Sequence, residues 1–150
     1  LYNLYTEFGI SAKQVNFELD VTSPLTDVAA KCREVVRHIE DNLKGEVMSG
    51  IRCLVSQEFF DALIAHTNVA KFYEHHAAAL QLISGADPRK GFPFAGLIFE
   101  EYRGVATDSG GSSRRFIASG RGHAYPEGTM NTFKTIYAPG NFVEAANTPT

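Results

Sequence analysis

The chain has 150 residues, 44% hydrophobic and 21% charged, with a net charge of -3 at pH 7. This is ordinary globular composition for one domain, able to bury roughly two-thirds of its unfolded surface. The acidic balance supplies no basic stripe for gripping nucleic acid, although it leaves room for a protein that encloses nucleic acid, and no apolar run approaches the ~20 residues of a membrane-spanning helix.

The opening residues alternate. Tyr2, Leu4, Thr6 and Phe8 share one face, and after Gly9 the residues Val15, Phe17, Leu19 and Val21 share another. Period-2 patterning on both sides of a short glycine-containing turn predicts a β-hairpin. The period then changes. Leu25, Val28, Ala29, Cys32, Val35, Val36, Ile39 and Leu43 recur at helical spacing, with Thr26 as the expected N-cap, Asp27 in the first turn and Gly45 as a left-handed stop.

Ile51–Ser56 reads as a buried strand, and Ser56 is placed to cap a short helix in which Glu58 lies near the positive end. A third helix is predicted from about Asn68 to Ile83, with Val69, Phe72, Tyr73, His76, Leu80 and Ile83 on its apolar face. Gly85, Pro88 and Gly91 break it. Strand-like runs follow at FAGLIFEEYRG, RRFIAS, GHAYPEG and TFKTIYAPG. No internal repeat or linker divides the chain. The expected fold class is α+β, a mixed sheet with about three helices packed on it.

One stretch raises an enzymatic question. Thr107–Phe116 contains Asp-Ser-Gly-Gly, the core around the nucleophile of trypsin-like serine proteases, centred on Ser109. A nucleophilic serine needs a base, an orienting group and oxyanion donors. His123 is the nearest histidine in sequence, but two β-barrels would require considerably more chain. A segment of Asp, Ser and Gly between two strand-like runs is also what a long hairpin tip needs, and the tip is the preferred reading.

The other candidates are weaker. Glu74, His75 and His76 spread around roughly 200° of a helix at ~100° per residue, with no partner at metal-ligand spacing. Glu100 and Glu101 fall on opposite faces of a strand, so they are not expected to act as one acid–base pair. Arg33, Arg37, Glu40 and Asp41 read as a solvated helix face, with contact to another subunit as a further use. RKGFPFAG lacks the spacing of a phosphate loop. Cys32 and Cys53 form neither a disulfide framework nor a metal spacing and are expected as small buried thiols, consistent with synthesis in a reducing compartment. The start at Leu1 without Met and the ending Asn-Thr-Pro-Thr lead to the expectation of a piece of a larger protein.

Five stretches, LYNLYTEFGISAKQVNFEL, KCREVVRHIEDNLKGE, VSQEFFDALIAH, KGFPFAGLIFEEYRG and YPEGTMNTFKTIYAPGNFVEAANT, resemble in order the major capsid protein E family of lambda-like tailed phages and prophages. The resemblance runs over nearly the whole chain. It implies the Hong Kong 97 type of capsid fold, with residues 25–138 (Asn42–Ala138 above all) mainly in the axial domain. Residues 1–24 would form a hairpin toward the peripheral domain, and 139–150 a return segment. It also implies a non-enzymatic head subunit that self-assembles into pentamers and hexamers of an icosahedral shell. No catalytic, cofactor-binding or metal-binding residue is expected. The implied partners are further copies of the chain, with scaffolding, portal and decoration proteins as candidates. DNA is enclosed without specific binding, no membrane is involved, and the virion is assembled in the bacterial cytoplasm.

Overall fold

In the computed structural model, which describes residues 4–19 and 26–130, the elements follow as α1 (Leu4–Glu7), α2 (Val28–Asn42), β1 (Gly50–Val55), α3 (Gln57–Ala65), α4 (Thr67–Ile83), β2 (Lys90–Phe94), β3 (Leu97–Glu101), β4 (Val105–Thr107), β5 (Ser113–Arg115) and β6 (Gly122–Glu127). The α+β class holds, with three longer helices and the single turn of α1. Four strands form a mixed sheet in the order β2-β3-β1-β6, and β4 and β5 pair separately. β1 runs parallel to β3 and antiparallel to β6, while β2 is antiparallel to β3.

Burial explains the layering. Along β1, Ile51, Cys53 and Val55 are buried while Arg52 and Leu54 lie on the opposite face. Leu97 and Phe99 of β3 and Phe92 and Phe94 of β2 join the buried set, and Val28, Cys32, Phe60, Leu63, Val69 and Phe17 pack onto it. All three longer helices therefore cover one face. Aromatic rings bind the layers, with Phe17 at 5.4 Å from Phe59 and 6.4 Å from Phe99, and Tyr73 at 5.2 Å from Phe92. Each buried ring contributes on the order of 1.5–3 kcal/mol, and each well-oriented pair about 0.5–1.5 kcal/mol more.

The other face carries Arg52, Leu54, Ile98, Glu100, Tyr125 and Glu127, and no described helix covers it. Arg52 bridges three strands, reaching Glu127 of β6 at 2.6 Å and Glu100 of β3 at 2.7 Å. The hydrogen bond that Arg52 donates to Glu127 leads the causes that raise the Arg52 pKa.

Local chemistry sets the boundaries. α2 is capped by Asp27, whose carboxylate accepts from the Ala30 amide at 3.0 Å. The expected cap, Thr26, sits one residue too early, and its carbonyl instead accepts from the Val28 amide and the Asn68 side chain. The helix ends through Lys44 and Gly45, both at positive φ, which is the left-handed stop expected at Gly45. Ser56 caps α3 as expected, its hydroxyl accepting from Phe59 at 3.3 Å and also from Gly120 at 2.9 Å. β2 and β3 are joined by Ala95 and Gly96, both at positive φ, the backbone that a two-residue hairpin turn requires. Pro93 is tolerated in β2 because β2 is a sheet edge.

The predicted opening hairpin is corrected over the described residues. Leu4–Glu7 is helical, closed by Gly9 at positive φ and by the Ile10 amide donating to the Tyr5 carbonyl at 2.9 Å. These local bonds satisfy the backbone without a partner strand, which a lone two-stranded hairpin does only marginally in water. The second half of the expectation fails differently. Val15, Phe17 and Leu19 do face the core, but in an irregular segment, with Glu18 at positive φ, that joins no sheet among the described residues. Val21 and Leu25, together with the TFKTIYAPG run and the residues after it, lie outside the described residues.

Candidate functional site

Three projections gather at one end of the sheet, where β1 and β3 finish and β2 and β6 begin. The register fixes this, since Val55 pairs with both Glu101 and Gly122, and Lys90 pairs with Glu100. Backbone bonds then tie the exits together. The Tyr102 amide donates to Val55 at 2.9 Å, Ser56 to Arg121 at 2.9 Å, and Glu101 to Arg89 at 3.1 Å.

The first projection is the β4–β5 hairpin, in which all six strand residues are exposed. Its tip is the Asp-Ser-Gly-Gly segment. The Asp108 carboxylate accepts from the amides of Gly110 and Ser112, both at 2.9 Å, and pairs with Arg114 at 3.2 Å. The aspartate of the protease-like motif is thus committed to holding its own loop. Ser109 stands at the exposed tip, whereas His123 lies on β6 opposite Leu54. No hydrogen bond joins Ser109 to His123 among the described residues. The structure does not bring this pair together.

The second is an ionic cluster between the sheet and the hairpin. Arg89 pairs with Asp87 at 2.7 Å and with Glu101 at 3.4 Å, and Arg103 lies 3.8 Å from Glu101. The Arg89 guanidinium, followed by its backbone amide, holds the Asp87 carboxyl down at about 2. The Glu101 side chain is only 6% exposed. Glu100 points the other way, to Arg52, so the two adjacent carboxylates do fall on opposite faces. Nearby, Glu58 in the first turn of α3 is lowered to about 2, first by its own backbone amide and then by Arg115 at 2.6 Å.

The third is the C-terminal turn of α4. Leu82 is 89% and Ile83 82% exposed. The apolar face predicted for this helix is corrected here, since Val69, Tyr73 and His76 turn inward as expected but Phe72 and Ile83 are exposed. α4 is 17 residues long and α3 only 9, so at 1.5 Å per residue α4 is about 12 Å the longer. Apolar periodicity marked a buried face without registering that the neighbouring helix is shorter. The Leu-Gln-Leu-Ile run, which puts apolar side chains on more than one side of the helix, was the available signal.

The remaining candidates are placed as follows. His76 packs tilted against Phe92 at 5.5 Å, its Nε2 buried without a hydrogen-bond partner, while Glu74 and His75 are exposed. Among the described residues no group of three His, Cys, Asp or Glu is placed to hold a metal. On α2, Arg33, Arg37, Glu40 and Asp41 are exposed, the solvated face expected; Arg33 pairs with Asp27 and Glu34 with Lys13, whereas Arg37, Glu40 and Asp41 form no ion pair among the described residues. Cys32 and Cys53 are buried free thiols, each pushed up to about 12 by burial. Buried neutral thiols pack and do not react.

Comparisons with known proteins identify the family. The family model described as phage major capsid protein E matches residues 1–150. The major capsid protein of Pseudomonas phage KPP10 is 35% identical over 158 residues, covering 99% of this chain and 44% of that protein. The major capsid protein of Salmonella phage Felix O1 is 29% identical over 173 residues, covering 97% of this chain and 46% of that protein. The chain spans about half the length of the curated relatives it matches. With the family model matched from end to end, the chain belongs to the phage major capsid protein E family.

Proposed function

We propose that the chain is part of the head subunit of a tailed phage or prophage, a structural protein that assembles with copies of itself into rings of five and six and so into a closed shell. The observation that carries this reading is the family match across all 150 residues, with two phage major capsid proteins aligned over 97% or more of the chain. Residues 25–138 correspond mainly to the axial domain of the Hong Kong 97 type fold. The segments on either side lead toward the peripheral domain, and the protein resides in the virion after assembly in the host cytoplasm. Scaffolding, portal and decoration proteins are its candidate partners.

The physics of such a role is assembly rather than catalysis. A closed ring arises when two different patches on one chain meet head to tail and the rotation closes. The net charge of -3 favours containing DNA without gripping it, since tight binding works through phosphate neutralisation by Lys and Arg. The test is negative-stain electron microscopy of the longest open reading frame that encodes this sequence, expressed in bacterial cytoplasm, alone and with the neighbouring phage head genes. Rings or shells are expected. A clean monomer under both conditions overturns the reading.

A further inference from the structure

We propose that the β4–β5 hairpin is a hinged arm, turning as a unit about Gly104 and held against α3 by the Arg115–Glu58 ion pair. The hinge and the latch belong to the single chain. Their use, one tip presented at different angles in rings of five and of six, rests on the capsid reading. The root of the hairpin is fixed and its body is not. On the outgoing side the Tyr102 amide donates to Val55 of β1. On the return side Ile117 is buried and the Gly120 amide donates to the Ser56 hydroxyl. Between these anchors, β4 and β5 pair only with each other and join no strand of the main sheet, and all six of their residues are exposed. Within the arm the ties are good, since Asp108 holds the tip and the Phe116 amide donates to the Gly104 carbonyl at 3.1 Å. It therefore moves as one piece. Gly104 supplies the pivot. A Cβ there would lie 2.5 Å from the Tyr102 ring, so the ring lies across bare backbone, and a residue without a Cβ absorbs changes of φ and ψ that others resist.

One face of the arm looks onto α3 across a gap. Val105 and Arg115 are register partners, and with Ser56, Gln57, Tyr102 and Ile117 they line a cavity of about 130 Å³. Val105 is still 54% exposed, so the arm rests beside α3 without packing on it. The gap leaves it room to close as well as to open. Across the gap runs one ion pair, Arg115 Nη1 to Glu58 Oε1 at 2.6 Å. Among the described residues it is the only ion pair joining residues 105–116 to the rest of the chain, because Arg114 pairs with Asp108 inside the arm. A single exposed pair contributes little, so it biases the arm toward α3 and does not lock it there.

The experiment uses the same open reading frame, with spin labels on Ser109→Cys at the tip and Asp61→Cys on α3, both exposed positions. The native Cys32 and Cys53 are buried and take up little label. Labelled chains are diluted with unlabelled ones, so that pulsed electron paramagnetic resonance reads distances within one chain. At about 3.3 Å per residue the tip stands about 16 Å from Gly104, and each ~10° of turn carries it about 3 Å. The parent should give one dominant distance. Glu58→Gln and Arg115→Gln should each raise the share of chains away from that distance about two- to fivefold, and the double variant should do no more than either single. Single variants that superimpose on the parent overturn the latch, as does a parent already as broad as the variants. In assembled shells the same labels should resolve more than one tip distance. A single distance there overturns the use of the arm and leaves the capsid reading standing. Failure to assemble, with or without the neighbouring head genes, overturns the capsid reading and that use with it, while the distances in the unassembled chain still decide the latch.

Discussion

Gly122, the first residue of β6, is expected to resist even one methyl group. It pairs with Val55, and a Cβ built there would lie 2.7 Å from Val55 Cγ1, 3.3 Å from the Leu54 carbonyl and 3.4 Å from Cys53 Sγ. Val55 is fully buried and β-branched, so it has little freedom to turn aside. Overpacking of this kind costs roughly 1–3 kcal/mol, and the stiffer unfolded chain of an alanine variant returns about 0.4–1 kcal/mol. The expected net loss for Gly122→Ala is therefore about 1–2 kcal/mol, or a fall in Tm of about 2–8 °C at this chain length. Gly50, at the other end of the same strand pair, is the control. A Cβ there meets nothing within 4 Å and its φ is unremarkable for an L residue, so Gly50→Ala should gain about 0.4–1 kcal/mol. Urea titrations followed by far-ultraviolet circular dichroism and tyrosine emission (the chain has no Trp) would measure both. A Gly122→Ala midpoint at or above that of the parent chain refutes the packing argument.

Arg52→Gln should lower stability by about 1 kcal/mol, because two part-buried cross-strand pairs are lost and Glu100 and Glu127 are left without the guanidinium between them; an unchanged urea midpoint would show that the bridge contributes nothing. Glu58 and Asp87 ionise at about 2 in the folded chain against ordinary values of 4.5 and 3.8. The stability supplied by their ionised forms is fully present above about pH 4.5 and drains as pH falls toward 2. Melting curves over that range should fall less steeply for Glu58→Gln than for the parent, and superimposable slopes would remove Glu58 from the account. The thiols of Cys32 and Cys53 should react with a disulfide reagent at pH 8 only as fast as the fold opens, and an immediate two-thiol burst would contradict their burial. A fluorophosphonate probe should leave Ser109 unlabelled; labelling that disappears in Ser109→Ala would restore the hydrolase reading.

Local signals carried the middle of the chain. Ser56 and Glu58 announced the start of α3, and the alternation of Ile51, Cys53 and Val55 announced β1, because a cap and a pleat are written in neighbouring residues. The opening segment shows the limit. Val15, Phe17 and Leu19 were correctly read as facing inward, yet alternation says which side is buried and not what the backbone bonds to. β2 went unread because Pro93 and Gly91 look like breakers until the strand is known to be an edge. The same limit governed the candidate site. The Asp108–Ser112 tip was legible from composition alone, as was the separation of Glu100 from Glu101. The exposure of Leu82 and Ile83 was not, since it depends on the length of a neighbouring helix.

The two hydrogen bonds accepted by the Ser56 hydroxyl have a consequence for the order of folding. One comes from Phe59, three residues on, and forms as soon as the first turn of α3 does. The other comes from Gly120, across 64 residues of chain, and closing a loop of that length costs on the order of 4 kcal/mol of chain entropy, little altered by the length of the hairpin within it. The helix can therefore nucleate early with its cap half used, and the hydroxyl waits for β6. Whatever sequence occupies the projecting hairpin, β6 arrives at the same oxygen. The sheet can thus keep one folding route while its projecting hairpin is lengthened or rewritten.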